Sequence, residues 1–118
     1  MNPLVLAYLG DSIYEVYVRT YLIEKGICKV NELQKEAVKY VSAKAQADYL
    51  MKMIEEGFLE EEELALVKRA RNHKVASHPR NTDIITYKLA TGLEALIGQL
   101  QLSKKEDRIL DIMNFILR

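Results

Sequence analysis

An all-α fold is predicted by three features of this chain. Only two prolines and five glycines punctuate its 118 residues. No stretch alternates apolar and polar positions for long, and apolar residues recur instead at three- and four-residue intervals. The length suits a single domain, 1–118, made of several helices around a core of its own. No internal repeat, linker or low-complexity segment interrupts it.

The first helix should run from about Leu4 to Lys25 and stop at Gly26, a good residue just beyond a helix end. Asn31, with Gln34 three residues on, reads as a capping-box start for a helix to about Val41, turning Leu33, Ala37, Val38 and Val41 inward. Ser42 can cap the next, which carries Ala45, Tyr49, Met53 and Ile54 before Gly57. The acidic run Glu60 to Glu63 suits a helix N-terminus, where negative charge opposes the macrodipole. That helix continues through Leu64, Leu66, Val67 and Ala70 to about Asn72. After a break at Pro79, Asn81 or Thr82 can cap a helix over roughly Asp83 to Gln101, with Ile85, Leu89, Leu93, Leu96, Ile97 and Leu100 as its stripe. Ser103 with Glu106 forms a second capping box, opening a last helix that packs through Ile109, Leu110, Ile112, Met113 and Ile116.

Composition narrows the function. With 49% hydrophobic and 29% charged residues, the chain is an ordinary globular one. Seventeen Lys and Arg balance seventeen Asp and Glu, so any polyanion must be held by local patches rather than by the overall field. The single cysteine, Cys28, excludes an internal disulfide and a Cys-based zinc site, and is expected as a small buried hydrophobe in a reducing compartment. No segment approaches a membrane span and no signal peptide is legible, which makes the expected location cytoplasmic, with no membrane partner.

The stretch from Leu6 to Val18 is the most apolar part of the chain, yet Asp11 sits near its middle. At about 100° per residue, Asp11 falls among Leu4, Val18 and Leu22, beside a narrow polar arc of Glu15, Tyr8, Arg19 and Ser12. A helix so apolar should be enclosed on most sides, leaving Asp11 largely desolvated and in need of a cation or a metal. Gly10 adds a second local penalty of about 1 kcal/mol. One reading has Asp11 paired with Arg19 or another helix and fixing packing only, with Gly10 as a contact point. The other makes it functional. Far along the chain, Glu94 lies opposite the apolar stripe of its helix. Tyr87, Thr91 and Gly98 share its face, and Gly98 suits close approach of a helix or ligand.

Leu9-Gly10-Asp11-Ser12 in an aromatic and β-branched helix resembles the signature helix of the ribonuclease III family of double-stranded-RNA endonucleases. Leu93-Glu94-Ala95-Leu96-Ile97-Gly98 resembles the family's second hallmark. Longer members carry two further carboxylates, and here those positions are Ala7 and Thr91. That reduction, and a chain ending after the catalytic domain without a double-stranded-RNA-binding domain, resemble the Mini-ribonuclease III branch. The resemblance implies a Mg²⁺-dependent endoribonuclease, with Mn²⁺ as a possible substitute. It acts on double-stranded RNA, in maturation of the bacterial large-subunit (23S) ribosomal RNA precursor, works as a homodimer and has no DNA partner. Asp11 and Glu94 are then the catalytic residues and metal ligands, with Thr91, Glu15 and Tyr87 in the surrounding shell.

RNA contact is expected from the basic segment, which holds no acidic residue between Lys68 and Arg80. Arg69, Arg71, Lys74 and Arg80 would neutralise phosphates, with Asn72, His73 and Asn81 as hydrogen-bonding neighbours. Lys88 flanks the Glu94 helix, and Lys44 is a weaker candidate. His73 and His78 lack the spacing of a zinc site. Surplus tyrosines on the first helix, Tyr14, Tyr17 and Tyr21, suit either the core or a dimer interface. Two other classes remain: a non-catalytic RNA- or ribosome-binding module of the same fold, and an interaction scaffold.

Overall fold

The computed structural model describes residues 1–74, 80 and 82–118. These form six helices: α1 (Pro3–Glu24), α2 (Val30–Val41), α3 (Ala43–Glu55), α4 (Glu61–Arg71), α5 (Ile84–Leu102) and α6 (Glu106–Leu117), with no strand among the described residues. Helix α5 is the axis. It packs against α1, α3, α4 and α6, so from Ala90 to Gly98 every residue except Glu94 is buried. The core collects Leu6, Tyr14 and Val18 of α1, Leu50 and Met53 of α3, Leu93, Leu96 and Ile97 of α5, and Ile109, Ile112 and Met113 of α6.

Most helix ends fall where the sequence puts them. Asn2 caps α1 by accepting from the Leu4 N–H, with Pro3 as the first helical residue. Gly26 and Gly57 follow the ends of α1 and α3 with φ of +98° and +67°, a region other residues enter only under strain. Ser42 accepts from the Ala45 N–H at 3.1 Å and starts α3 as expected.

Three caps differ from expectation. Helix α2 begins at Val30, after an extended Lys29 without a side-chain cap, so Asn31 is already inside the helix. Asp83, not Asn81 or Thr82, caps α5: its two carboxylate oxygens take the Thr86 N–H and the Thr86 hydroxyl at 2.9 and 2.8 Å. Ser103 is spent at the end of α5, where its hydroxyl receives the Gln99 amide, and α6 starts after Lys105 with no side-chain cap. Asn81, His78 and Pro79 lie outside the described residues.

Four inward assignments are also corrected. Val38, Ile85 and Leu110 are exposed, because α2, the first turn of α5 and that side of α6 have no neighbouring helix there. Cys28 is exposed too, in the turn between α1 and α2. Glu63 does more than oppose a macrodipole. It is 6% exposed, accepts the Glu60 N–H, and takes a two-pronged contact from Arg108 of α6 at 2.7 and 2.8 Å. Arg108 also donates to the Phe58 carbonyl and lies over the Phe58 ring. This clamp ties the α3–α4 turn to α6. Burial pushes the Glu63 carboxyl up, but Arg108 and the Glu60 N–H outweigh it and hold its pKa below the ordinary value.

Candidate active site on helices α1, α3 and α5

Helices α1 and α5 touch backbone to backbone. A Cβ on Gly10 would stand 1.7 Å from the Glu94 carbonyl oxygen, and one on Gly98 would stand 2.0 Å from the Leu6 carbonyl oxygen. No side chain larger than hydrogen fits either place. The two glycines that the sequence marks as odd are therefore the points where the helices cross, one beside Asp11 and the other one turn after Glu94.

That crossing sets Asp11, next to Gly10, against the turn of α5 that carries Glu94, close enough for the Asp11 charge to act on the Glu94 carboxyl. Their environments differ in a way opposite to the sequence expectation. Asp11 is exposed, whereas Glu94 is half-buried between α1 and α3. Nor is α1 enclosed on most sides: Val5, Tyr8, Val16 and Ile23 are 53%, 85%, 62% and 59% exposed, because no element among the described residues covers that side. Burial first, then the charge and hydrogen bond of Asp11, push the Glu94 pKa up to about 8; the Gln46 amide works in the other direction, and Glu15 adds to the rise. Two carboxyl groups this close need a shared proton or a shared cation.

The surroundings suit a hard divalent ion. Every donor at the crossing is oxygen. Glu15, one turn beyond Asp11, carries a buried Oε2 without a hydrogen-bond partner, and its ion pair with Arg19 is long, at 3.7 Å. Arg19 thus pairs with Glu15. Among the described residues no group of three or more His, Cys, Asp or Glu is placed to hold an ion. Thr91 is buried one turn before Glu94, and Tyr87 is half-buried a further turn back.

Sequence reasoning missed Gln46. It is 2% exposed on α3, its Nε2 is buried without a hydrogen-bond partner, and its amide favours the ionised form of Glu94. Its one signal was a polar residue on the face of Leu50 and Met53. Tyr14 falls to the core: it is fully buried and its hydroxyl donates to the Tyr40 carbonyl at 2.5 Å. Tyr17 and Tyr21 are half-buried against the same core.

The basic residues are displayed at the end of α4 and after it. Arg69, Arg71, Asn72, Lys74 and Arg80 are all exposed, His73 is half-buried, and Lys88 is half-buried on the second turn of α5. Arg69 also lines a cleft of about 730 Å³ between α4, α5 and α6, with Gln99 and Ser103, on the flank of α5 away from Glu94. Lys44 is engaged with Asp48 at 3.0 Å.

An all-helical domain with two acids meeting at a glycine-lined crossing is the architecture of one known nuclease class. The chain belongs to the ribonuclease III family: residues 4–105 match the model described as Ribonuclease III domain. Endoribonucleases of this family act on double-stranded RNA and depend in general on divalent metal. Within it the relatives mark the Mini-ribonuclease III branch. The Mini-ribonuclease 3 of Brevibacillus brevis is 55% identical over 95% of this chain and 82% of its own length. Those of Enterococcus faecalis and Staphylococcus aureus are each 43% identical, over 100% and 99% of this chain and 89% and 87% of theirs. A crystal structure of a Fusobacterium nucleatum protein superposes with a TM-score of 0.88 at 38% identity, covering 99% of this chain and 92% of that one. None of the described helices is long and apolar enough to cross a membrane.

Proposed function

We propose that this ribonuclease III-type endoribonuclease cleaves double-stranded RNA in a Mg²⁺-dependent reaction carried by Asp11 and Glu94. What supports the reading is the backbone crossing at Gly10 and Gly98, which sets Asp11 beside Glu94, more than eighty positions apart in sequence.

A divalent cation, when bound, neutralises phosphate charge and acidifies a coordinated water. The residues divide the remaining work by exposure. Asp11 faces solvent, where a duplex can approach, and accepts a hydrogen bond from the attacking water to orient it toward phosphorus. Glu94, half-buried between α1 and α3, would serve as the second ligand in its ionised form. The Thr91 hydroxyl and Glu15, whose Oε2 has only a long ion pair to Arg19 and no hydrogen bond, complete the surroundings. Arg69, Arg71, Lys74, Arg80 and Lys88 contact phosphates, with Asn72 and Asn81 beside them, so recognition follows duplex shape more than sequence.

Cutting both strands needs two symmetry-related sites, which a C₂ homodimer supplies. The exposed apolar side of α1, Val5, Tyr8, Val16 and Ile23, is the surface we assign to the second copy. We take the 23S ribosomal RNA precursor as the natural substrate and the bacterial cytoplasm as the place of action, a reading that the likeness to the Mini-ribonuclease III branch supports.

Incubation of the protein with a long RNA duplex, with Mg²⁺ and then with excess chelator, tests the reading. Metal-dependent cuts that vanish in Asp11→Asn are expected. Binding without cuts would identify a non-catalytic RNA module instead, and cleavage by Asp11→Asn in Mg²⁺ would overturn the assignment of Asp11.

A further inference from the structure

Two carboxylates fill only part of the shell of a hard divalent ion, which keeps several waters. Those waters are strong donors, and acceptors around the site hold them in place. Glu15 stands one helical turn beyond Asp11, a spacing that sets two side chains about 5–6 Å apart at their Cβ atoms. A helical side chain also leans back over the turn before its own, so Glu15 leans toward Asp11. Helix α5 brings Glu94 to the same place. Gly10 meets the Glu94 carbonyl and Gly98 meets the Leu6 carbonyl, so α1 and α5 run antiparallel. Glu94, leaning toward the start of its own helix, therefore leans along α1 toward the turn that carries Glu15.

The Glu15 Oε2 is buried and closes no hydrogen bond, and its ion pair to Arg19, at 3.7 Å, is too long to be one. Glu15 belongs to the wall of a groove of about 410 Å³ between α1 and α2, which is apolar apart from Glu15, Arg19 and Gln34. A hydrophobic side chain would fill that position without leaving a carboxylate oxygen short of a donor. No three of the described His, Cys, Asp or Glu side chains form a ligand group, which leaves Glu15 to act through a water rather than by direct coordination.

We propose that Glu15 is a positioning residue: from one turn beyond Asp11, its carboxylate accepts a hydrogen bond from a water of the hydrated divalent ion that Asp11 and Glu94 hold, and so fixes that water in place. The proposal rests on the assignment of Asp11 and Glu94 as ligands made above. Groups just outside the ligands of a metal site commonly work in this way, and their loss weakens the hold on the ion.

Calorimetric titration with Mn²⁺ of the wild-type protein, Glu15→Met, Glu15→Gln, Arg19→Met and Asp11→Asn tests this. Methionine keeps the length and suits the apolar groove but is a weak acceptor, whereas glutamine loses the charge and keeps an acceptor oxygen. Mn²⁺ affinity should fall about 10- to 100-fold in Glu15→Met and recover most of that loss in Glu15→Gln. Arg19→Met should bind Mn²⁺ at least as well as wild type, because it removes a cation and leaves the acceptor. A folded Glu15→Met with wild-type Mn²⁺ affinity would overturn the proposal alone, provided that Asp11→Asn has lost the ion. Equal losses in Glu15→Met and Glu15→Gln would overturn it too, by reducing Glu15 to a bystander charge. So would a loss in Arg19→Met as large as that in Glu15→Met, which would make the ion pair a structural one. If Asp11→Asn binds Mn²⁺ as well as wild type does, the ligand assignment and this proposal fall together. Should Glu15→Met not fold, carbon NMR of the wild-type chain decides. The Glu15 carboxylate resonance, assigned by its absence from Glu15→Gln, should shift saturably with Mg²⁺ and stay put in Asp11→Asn. A resonance indifferent to Mg²⁺ would overturn the proposal.

Discussion

Replacing Gly98 by alanine sets helix propensity against packing, and the structure says which wins. Within a helix, Gly→Ala is worth about 1 kcal/mol of stabilisation. Here the new Cβ would sit 2.0 Å from the Leu6 carbonyl oxygen and 3.2 Å from the Gly10 nitrogen. The close partner is main chain inside a helix, so it cannot swing aside as a side-chain tip would. Helices α1 and α5 must separate by about 1 Å or more. That opens a packed core at a cost of about 1–3 kcal/mol or more, exceeding the propensity gain at most of its range. A net loss of roughly 1–2 kcal/mol lowers the melting temperature by about 4–8 °C in a domain of this size. The same separation moves Asp11 away from Glu94, and a misplacement of that size can cost about 10²-fold in rate. Thermal melts of Gly98→Ala alongside single-turnover cleavage of a duplex test both effects. A variant that melts above wild type and cleaves normally would show that the helices do not meet at this glycine.

Three further outcomes follow from the same geometry. In chelator, wild-type stability should fall as pH rises from about 4.5 toward 8. The native state keeps the Glu94 proton over that window and the unfolded chain does not. The change is of the order of a few kcal/mol, measurable by urea titration, and Glu94→Gln should flatten it; an unchanged slope in that variant would place the titrating group elsewhere. Arg108→Met leaves Glu63 buried without its partner and should cost about 3–5 kcal/mol, with the double variant Glu63→Leu/Arg108→Met recovering most of it. The contribution of this pair is present above the ordinary carboxylate pKa and disappears as pH drops through the lowered value of Glu63, so acid melts of the double variant should lack that loss. Finally, replacing Arg71, Lys74 and Arg80 by alanine should weaken duplex binding and reduce the salt slope by about 0.9 for each phosphate contact removed; a slope equal to that of wild type in filter-binding assays would move the RNA surface elsewhere.

Periodicity and punctuation made the helices legible, since Gly26, Ser42 and Gly57 act through local backbone chemistry that sequence carries directly. Caps with competing candidates were less so. Asp83 prevails at α5 because both of its oxygens find donors on Thr86, a choice that spacing alone does not make. The pairing of Asp11 with Glu94 was legible through two motifs, but which acid is withdrawn from water was not. A helical wheel gives an angle; it does not tell how near the next helix comes. Gly10 lets α5 approach on one side of α1 while none of the described residues covers Val5, Tyr8 and Val16. Gln46 escaped notice for a similar reason, because its meaning depends on Glu94 arriving from another helix.

At the crossing of α1 and α5, peptide groups rest on peptide groups. The spacing between the backbones of Asp11 and Glu94 is therefore a dimension of the main chain, cut to length like a gauge block. Surface or core substitutions that keep both glycines leave that spacing in place, and changing it requires re-spacing the helices themselves.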